Sequence, residues 1–130
     1  MGNLERDSIW HIKENKSHKG FESEQRVLEA LRGIGFAAII CEHNGFDDQQ
    51  KRDIKVSIKN NGHPAEVIYI QVKSSRKGVT SFYREIETIS GGAENIEVWL
   101  KKKRIIVING QEDPKEICKC FLENLKRLVN

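Results

Sequence analysis

Asp53-Ile-Lys-Val-Ser-Ile-Lys59, followed after Asn60-Asn-Gly-His-Pro64 by Val67-Ile-Tyr-Ile-Gln-Val-Lys73, decides the fold. In the first run Ile54, Val56 and Ile58 alternate with polar residues, and in the second Ile68, Ile70 and Val72 do the same. A period of two marks a half-buried strand, and two such runs around a short Asn/Gly/Pro segment predict an antiparallel hairpin. Strand side chains alternate between faces. Asp53, Lys55 and Ser57 therefore lie opposite the first apolar set, and Tyr69, Gln71 and Lys73 opposite the second. A hairpin centred near Gly62 and His63 pairs residues whose numbers sum to about 124 to 126, a register estimated from loop length. Either value sets Asp53 across from Gln71 or Lys73, so an acid, an amide and an amine converge on one sheet face.

Upstream of the hairpin, Phe21, Val27, Leu28, Leu31 and Ile34 recur at helical spacing, and Gly33 and Gly35 close the pattern. Phe36 to Cys41 is a short apolar run that reads as a buried strand, and His43 to Arg52 is polar, with Asn44-Gly45 and Asp47-Asp48 as loop signals. Downstream, Ser74 to Gly78 reads as a basic loop. Phe82, Ile86 and Ile89 predict a helix over 80–90 that Gly91-Gly92 breaks. Ile96 to Leu100 reads equally as strand or short helix, and Arg104 to Asn109 as a buried strand. Asp113-Pro114 supplies an N-cap and first-turn pair for a last helix striped by Ile117, Phe121, Leu125 and Leu128. The order is helix, three strands, helix, strand, helix, a mixed α/β arrangement. Residues 1–18 lack clear periodicity and read as an N-terminal extension, leaving 19–130 as a single domain with length for one hydrophobic core.

Composition narrows the function classes. Of the 130 residues 38% are hydrophobic and 32% charged, a polar but foldable balance. No apolar run approaches the ~20 residues that span a bilayer, and the polar first twenty residues do not read as a secretory signal. A cytoplasmic location is the expectation. Cys41, Cys118 and Cys120 offer neither a disulfide framework nor a tetrahedral zinc set. The net charge of +3 leaves nucleic acid open. The run Lys101 to Arg104, taken alone, reads as a solvated edge that protects a strand from pairing.

The first helix adds an acid. At ~100° per residue Glu24 falls between Val27 and Leu28 on the apolar stripe, whereas Glu22 and Glu29 lie off it. A carboxylate on a packing face is costly unless paired or coordinated. The alternative is that Glu24 leans outward in the first turn, where acids suit the helix dipole. Gln71-Val-Lys73 ends a strongly apolar strand opposite an aspartate, which separates it from other acid-or-Gln-x-Lys triplets such as Gln49-Gln-Lys51 and Asp113-Pro-Lys115.

With those residues in place, the chain resembles the PD-(D/E)XK nuclease superfamily, the restriction endonuclease-like proteins. Within it, the chain is most similar to archaeal Holliday-junction resolvases and to restriction-type endonucleases of similar size. The resemblance spans roughly Lys19 to Asn109, matched on element order as well as motifs. Lys19-Gly20 and Glu24 look like the family's first helix, and Arg52-Asp53-Ile54 like its Pro-Asp-Ile segment, with Arg52 where proline is usual. Gln71-Val-Lys73-Ser-Ser75 looks like the (D/E)-x-K strand end, with glutamine in place of the acid, as in related Gln-x-Lys enzymes. The resemblance implies an αβββαβ core, a mixed central sheet flanked by helices, followed here by a C-terminal helix. It implies a Mg2+- or Mn2+-dependent endodeoxyribonuclease with catalytic residues Glu24, Asp53, Gln71 and Lys73. Asp53, Gln71, the Val72 carbonyl and Glu24 would hold the metal, and Lys73 would position the attacking water. Lys51, Arg52, Ser74, Arg76 and Lys77 would bind DNA phosphates, so that structure rather than sequence is recognised. Junction-cutting relatives act as symmetric dimers, which implies a homodimer. Two other readings stand beside this one. Arg52 and Gln71 favour a nucleic-acid-binding module of the same fold without catalysis, and Ile96–Leu100 with Trp99 would suit a protein-interaction subunit.

Overall fold

The computed structural model describes the backbone over residues 2–41, 51–60 and 63–129, and side chains over 18–41, 51–59 and 65–128. Its elements are α1 (Gly2–Gly33), β1 (Ala37–Ile40), β2 (Ile54–Asn60), β3 (His63–Lys73), α2 (Arg76–Ser90), a 3-10 turn (Ala93–Asn95), α3 (Ile96–Lys103), β4 (Ile105–Asn109) and α4 (Pro114–Val129). The four strands form one sheet in the order β1-β2-β3-β4. The first two pairings are antiparallel and β3–β4 is parallel, the crossover running through α2 and α3. The described residues are therefore mixed α/β, with four helices around a four-stranded mixed sheet.

The hairpin register follows from side-chain alternation. Ile54 pairs with Ile70 and Val56 with Ile68, so the partner numbers sum to 124, the low end of the expected range. Ile54, Val56, Ile68 and Ile70 are fully buried, and they continue sideways into Ala38 on β1 and Ile106 and Ile108 on β4. Val27, Leu28 and Leu31 of α1 and Ile117, Phe121 and Leu128 of α4 cover this face. The sheet is buried on its other face too, where Ile105 and Val107 pack with Phe82 and Ile86 of α2 and with Trp99 and Leu100 of α3. The single core expected from chain length is thus split into two layers. The cause is that β4 is apolar at every position from Ile105 to Ile108, as a strand covered on both sides must be.

Helix ends follow their local chemistry. Gly35 (φ 93°) terminates α1, with its N–H on Arg32 O and the Phe36 N–H on Leu31 O, so the left-handed residue satisfies two last-turn carbonyls. Gly91 (φ 90°) ends α2 in the same conformation. Asp113 Oδ1 accepts from the Lys115 N–H at 3.1 Å and caps α4.

Several expectations change. Helix α1 runs back to Gly2, across the 18/19 boundary read from sequence. Residues 3–19 contain neither proline nor glycine, so nothing in the segment breaks the helix. Phe21 and Ile34, placed on the apolar stripe, are 57% and 43% exposed. Helix α2 begins at Arg76, so the loop expected over 74–78 shrinks to two residues; Ser75 is its N-cap, accepting from the Gly78 N–H at 2.9 Å. Ile96–Leu100 resolves as helix. Lys101, Lys102 and Lys103 then form the last turn of α3, where cations suit the helix dipole, rather than guarding a strand edge. Arg104 (φ 60°) closes that turn and clasps β3 through Val67 O (3.0 Å) and Glu66 (3.3 Å). All three cysteines are free thiols. Among the described residues no helix is long and apolar enough to cross a membrane.

Candidate functional site

The Asp53 backbone N–H donates to Ile70 O at 2.8 Å, one residue before β2 begins. Beyond this point the β3 backbone needs another acceptor, and the Asp53 side chain provides it. Its Oδ2 accepts from the Val72 N–H at 2.7 Å and from Gln71 Nε2 at 2.9 Å. Two donors on one oxygen fix the orientation of the carboxylate, and bonds to a charged acceptor are among the stronger ones. Gln71 is 8% exposed although it stands on the polar side of its strand. The expected convergence of Asp53 with Gln71 is therefore a direct hydrogen bond.

Lys73 ends β3, with its ammonium 5.3 Å from the Phe82 ring centroid. A Cβ at Gly78 would lie 3.4 Å from Lys73 Cβ and 3.2 Å from Ser75 Oγ, so a glycine lets the first turn of α2 pack against the lysine stem. Glu24 is 8% exposed, which decides for the packing face over the outward-leaning alternative. Its turn of α1 is tied to the end of β3 by its neighbours: Ser23 Oγ donates to Ser74 Oγ at 2.9 Å, and Ser74 Oγ donates to Lys19 O at 3.4 Å. Glu24, Asp53, Gln71 and Lys73 thus come from three elements that meet where β3 runs out.

The residues assigned to DNA contact divide into two groups. Lys51 pairs with Glu85 of α2 at 2.7 Å, and the Arg52 guanidinium lies 4.0 Å from the Tyr69 ring centroid. Both are thereby held over the α2 side of the sheet. Ser74 is engaged by α1. Arg76 and Lys77 are exposed at the start of α2, next in sequence to the site. Asp47 and Asp48 lie outside the described residues.

As donors, Glu24 and Asp53 supply carboxylates, Gln71 an amide oxygen and Val72 a backbone carbonyl. All are hard oxygens, the set that suits Mg2+ or Mn2+ rather than a thiophilic ion. Among the described residues no three His, Cys, Asp or Glu side chains cluster. Glu24, Asp53, Gln71 and Val72 together would offer two acids and two neutral oxygens, a lower negative charge than an all-acid set.

Sequence reasoning missed Ser23, Gln111 and Gly110. Ser23 is fully buried, Gln111 Nε2 donates to its hydroxyl at 2.7 Å, and Gly110 N–H donates to Lys73 O at 2.8 Å. Only an Asn-Gly-Gln turn after a strand marks the segment, and nothing local ties it to a helix almost ninety residues upstream. Comparison with family models, curated proteins and solved structures returned no match to this chain.

Proposed function

We propose that this chain is a metal-dependent endonuclease of the PD-(D/E)XK type that hydrolyses DNA phosphodiesters, with branched DNA as a candidate substrate. The observation that carries the reading is the pinned Asp53 carboxylate. It is held by Gln71 and by the backbone of Val72 at the strand end that bears Lys73, with the buried Glu24 on the adjoining turn of α1. The observed order of helix, three strands, a two-helix crossover and a fourth strand is compatible with the family's αβββαβ core.

In this reading Asp53, Glu24, the Gln71 amide oxygen and the Val72 carbonyl hold Mg2+ or Mn2+. A bound divalent ion would polarise a phosphoryl oxygen and acidify its water. Lys73 orients the attacking water and offsets charge that develops on the phosphoryl oxygens. Water oxygen adds to phosphorus, one P–O ester bond breaks, and the leaving alkoxide takes up a proton. Arg76 and Lys77 contact flanking phosphates without reading bases. Cutting two strands of a branched substrate calls for two sites, hence a homodimer, which sedimentation at working concentration checks.

The test is nicking of branched and duplex DNA with Mg2+ or Mn2+. Asp53→Asn and Lys73→Ala should each abolish cleavage, and cleavage that survives both removes the assignment. A second reading, a DNA-binding module of the same fold without catalysis, is favoured by the direct Gln71–Asp53 bond, which satisfies the pair without an ion. Salt-sensitive DNA binding with no Mn2+ uptake would select it.

A further inference from the structure

The turn after β4 is wedged between the two halves of the site. Gly110 N–H donates to Lys73 O at 2.8 Å, which fixes the turn to the end of β3. Arg26 of α1 grips its other side, Nε on Gly110 O at 2.7 Å and Nη2 on Glu112 O at 2.7 Å. A Cβ at Gly110 would stand 2.5 Å from Ser23 O, so helix and turn touch backbone to backbone. Gln111, its N–H on Asn109 Oδ1 at 2.9 Å, donates from Nε2 to the buried Ser23 hydroxyl, which in turn donates to Ser74 Oγ. Every hydroxyl in that chain has a defined direction, and Ser23 and Ser74 each stand next to a site residue, Glu24 and Lys73.

Resting on the metal-centre reading above, we infer that the Gly110–Gln111 turn is the spacer that sets Glu24 relative to Lys73 and Asp53, with Gln111 and Ser74 as positioning residues. Ser74 therefore serves to hold α1 rather than to contact DNA. Groups that orient a metal's ligands usually cost about tenfold or more in affinity when removed.

The experiment is calorimetric titration of the full chain with Mn2+ alone, beside thermal unfolding of each variant. Gln111→Ala and Ser74→Ala should weaken Mn2+ binding by about tenfold while unfolding stays cooperative. Ser74→Thr keeps the hydroxyl and should restore binding to within about twofold, whereas a purely structural role would leave affinity unmoved. If Gln111→Ala does not fold, the Ser74 pair decides. Wild-type affinity in Ser74→Ala overturns the spacer role and leaves the metal centre standing. Absence of Mn2+ uptake by the wild-type protein overturns both.

Discussion

Replacing Gln71 with glutamate probes the centre of the site. The amide donates to Asp53 Oδ2 at 2.9 Å. Gln71→Glu removes that donor and sets a second carboxylate in its place. A hydrogen bond to a charged acceptor is worth roughly 1.5–3 kcal/mol. Two carboxylates about 3 Å apart repel by roughly 5 kcal/mol at an effective dielectric of about 20. The pair has an escape, because one proton between the oxygens rebuilds the bond. Taking up that proton at pH 7 costs about 3.7 kcal/mol from an ordinary glutamate pKa of about 4.3, which caps the penalty. The expected loss is therefore roughly 2–4 kcal/mol at pH 7, a drop of about 10 °C in Tm for a chain of this length. The folded-state pKa of the new glutamate is raised. The stability tied to its proton is fully present below the unfolded value and is lost as pH rises through the folded one. The gap to wild type should be about 1 kcal/mol at pH 5 and widen towards pH 7. Divalent ions should narrow it again, since the variant gains an anionic ligand. Thermal unfolding from pH 5 to 8, with and without Mn2+, measures all of this. A gap independent of pH would refute the contact, and equal stabilisation of both proteins by Mn2+ would refute the metal centre.

Asp53→Ala should cost roughly 1–3 kcal/mol in denaturant titrations, because the Val72 N–H loses its acceptor. Asp53→Asn keeps an oxygen there and should lose less than half as much, while both abolish cleavage. Gly110→Ala drives a methyl group into the Ser23 backbone and should destabilise by roughly 1–3 kcal/mol, and a neutral result would place the turn elsewhere. Burial pushes the Cys120 thiol up, reinforced by Glu123, and burial does the same to the Tyr83 phenol. Stability tied to these neutral forms is present at neutral pH and is lost as pH climbs past ordinary thiol and phenol values. Alkaline unfolding should therefore steepen above about pH 9. In Cys120→Ala the thiol's share of that slope should vanish; an unchanged slope contradicts the burial argument.

The hairpin could be read residue by residue because its two faces differ so sharply: a slip of one place would have turned every isoleucine away from the face that α1 and α4 cover. For the same reason Asp53 could be set across from Gln71 or Lys73 from numbers alone, and the observed register selects Gln71. Glu24 could be singled out because it falls between Val27 and Leu28 on the apolar stripe, but the outward-leaning alternative was closed only by its burial. What escaped had weaker local signals. Arg76-Lys-Gly78 is a poor helix start by composition, and only the cap at Ser75 betrays it. Ile96–Leu100 is too short to show a period. The partnership of Ser23 with Gln111 is a tertiary fact, since serine in a helix and glutamine in a turn are unremarkable singly. The second apolar layer was hidden because Tyr69 and Lys73 look like solvent-facing residues until α2 is laid over them.

The wedge formed by Gly110 and Gln111 bears on when this protein becomes complete during synthesis. All four site residues have been made by Lys73, and the hairpin that joins Asp53 to Gln71 is a local event of microseconds. The bridge from Ser23 to Gln111 closes over 88 positions, so it must await the parallel docking of β4, the slow, non-local step of this topology. A nascent or truncated chain ending before that turn would carry every reactive group without the fastening that sets Glu24. On the proposed metal-centre reading such a chain would be dormant, and Mn2+ binding and cleavage would arrive only with the finished fold.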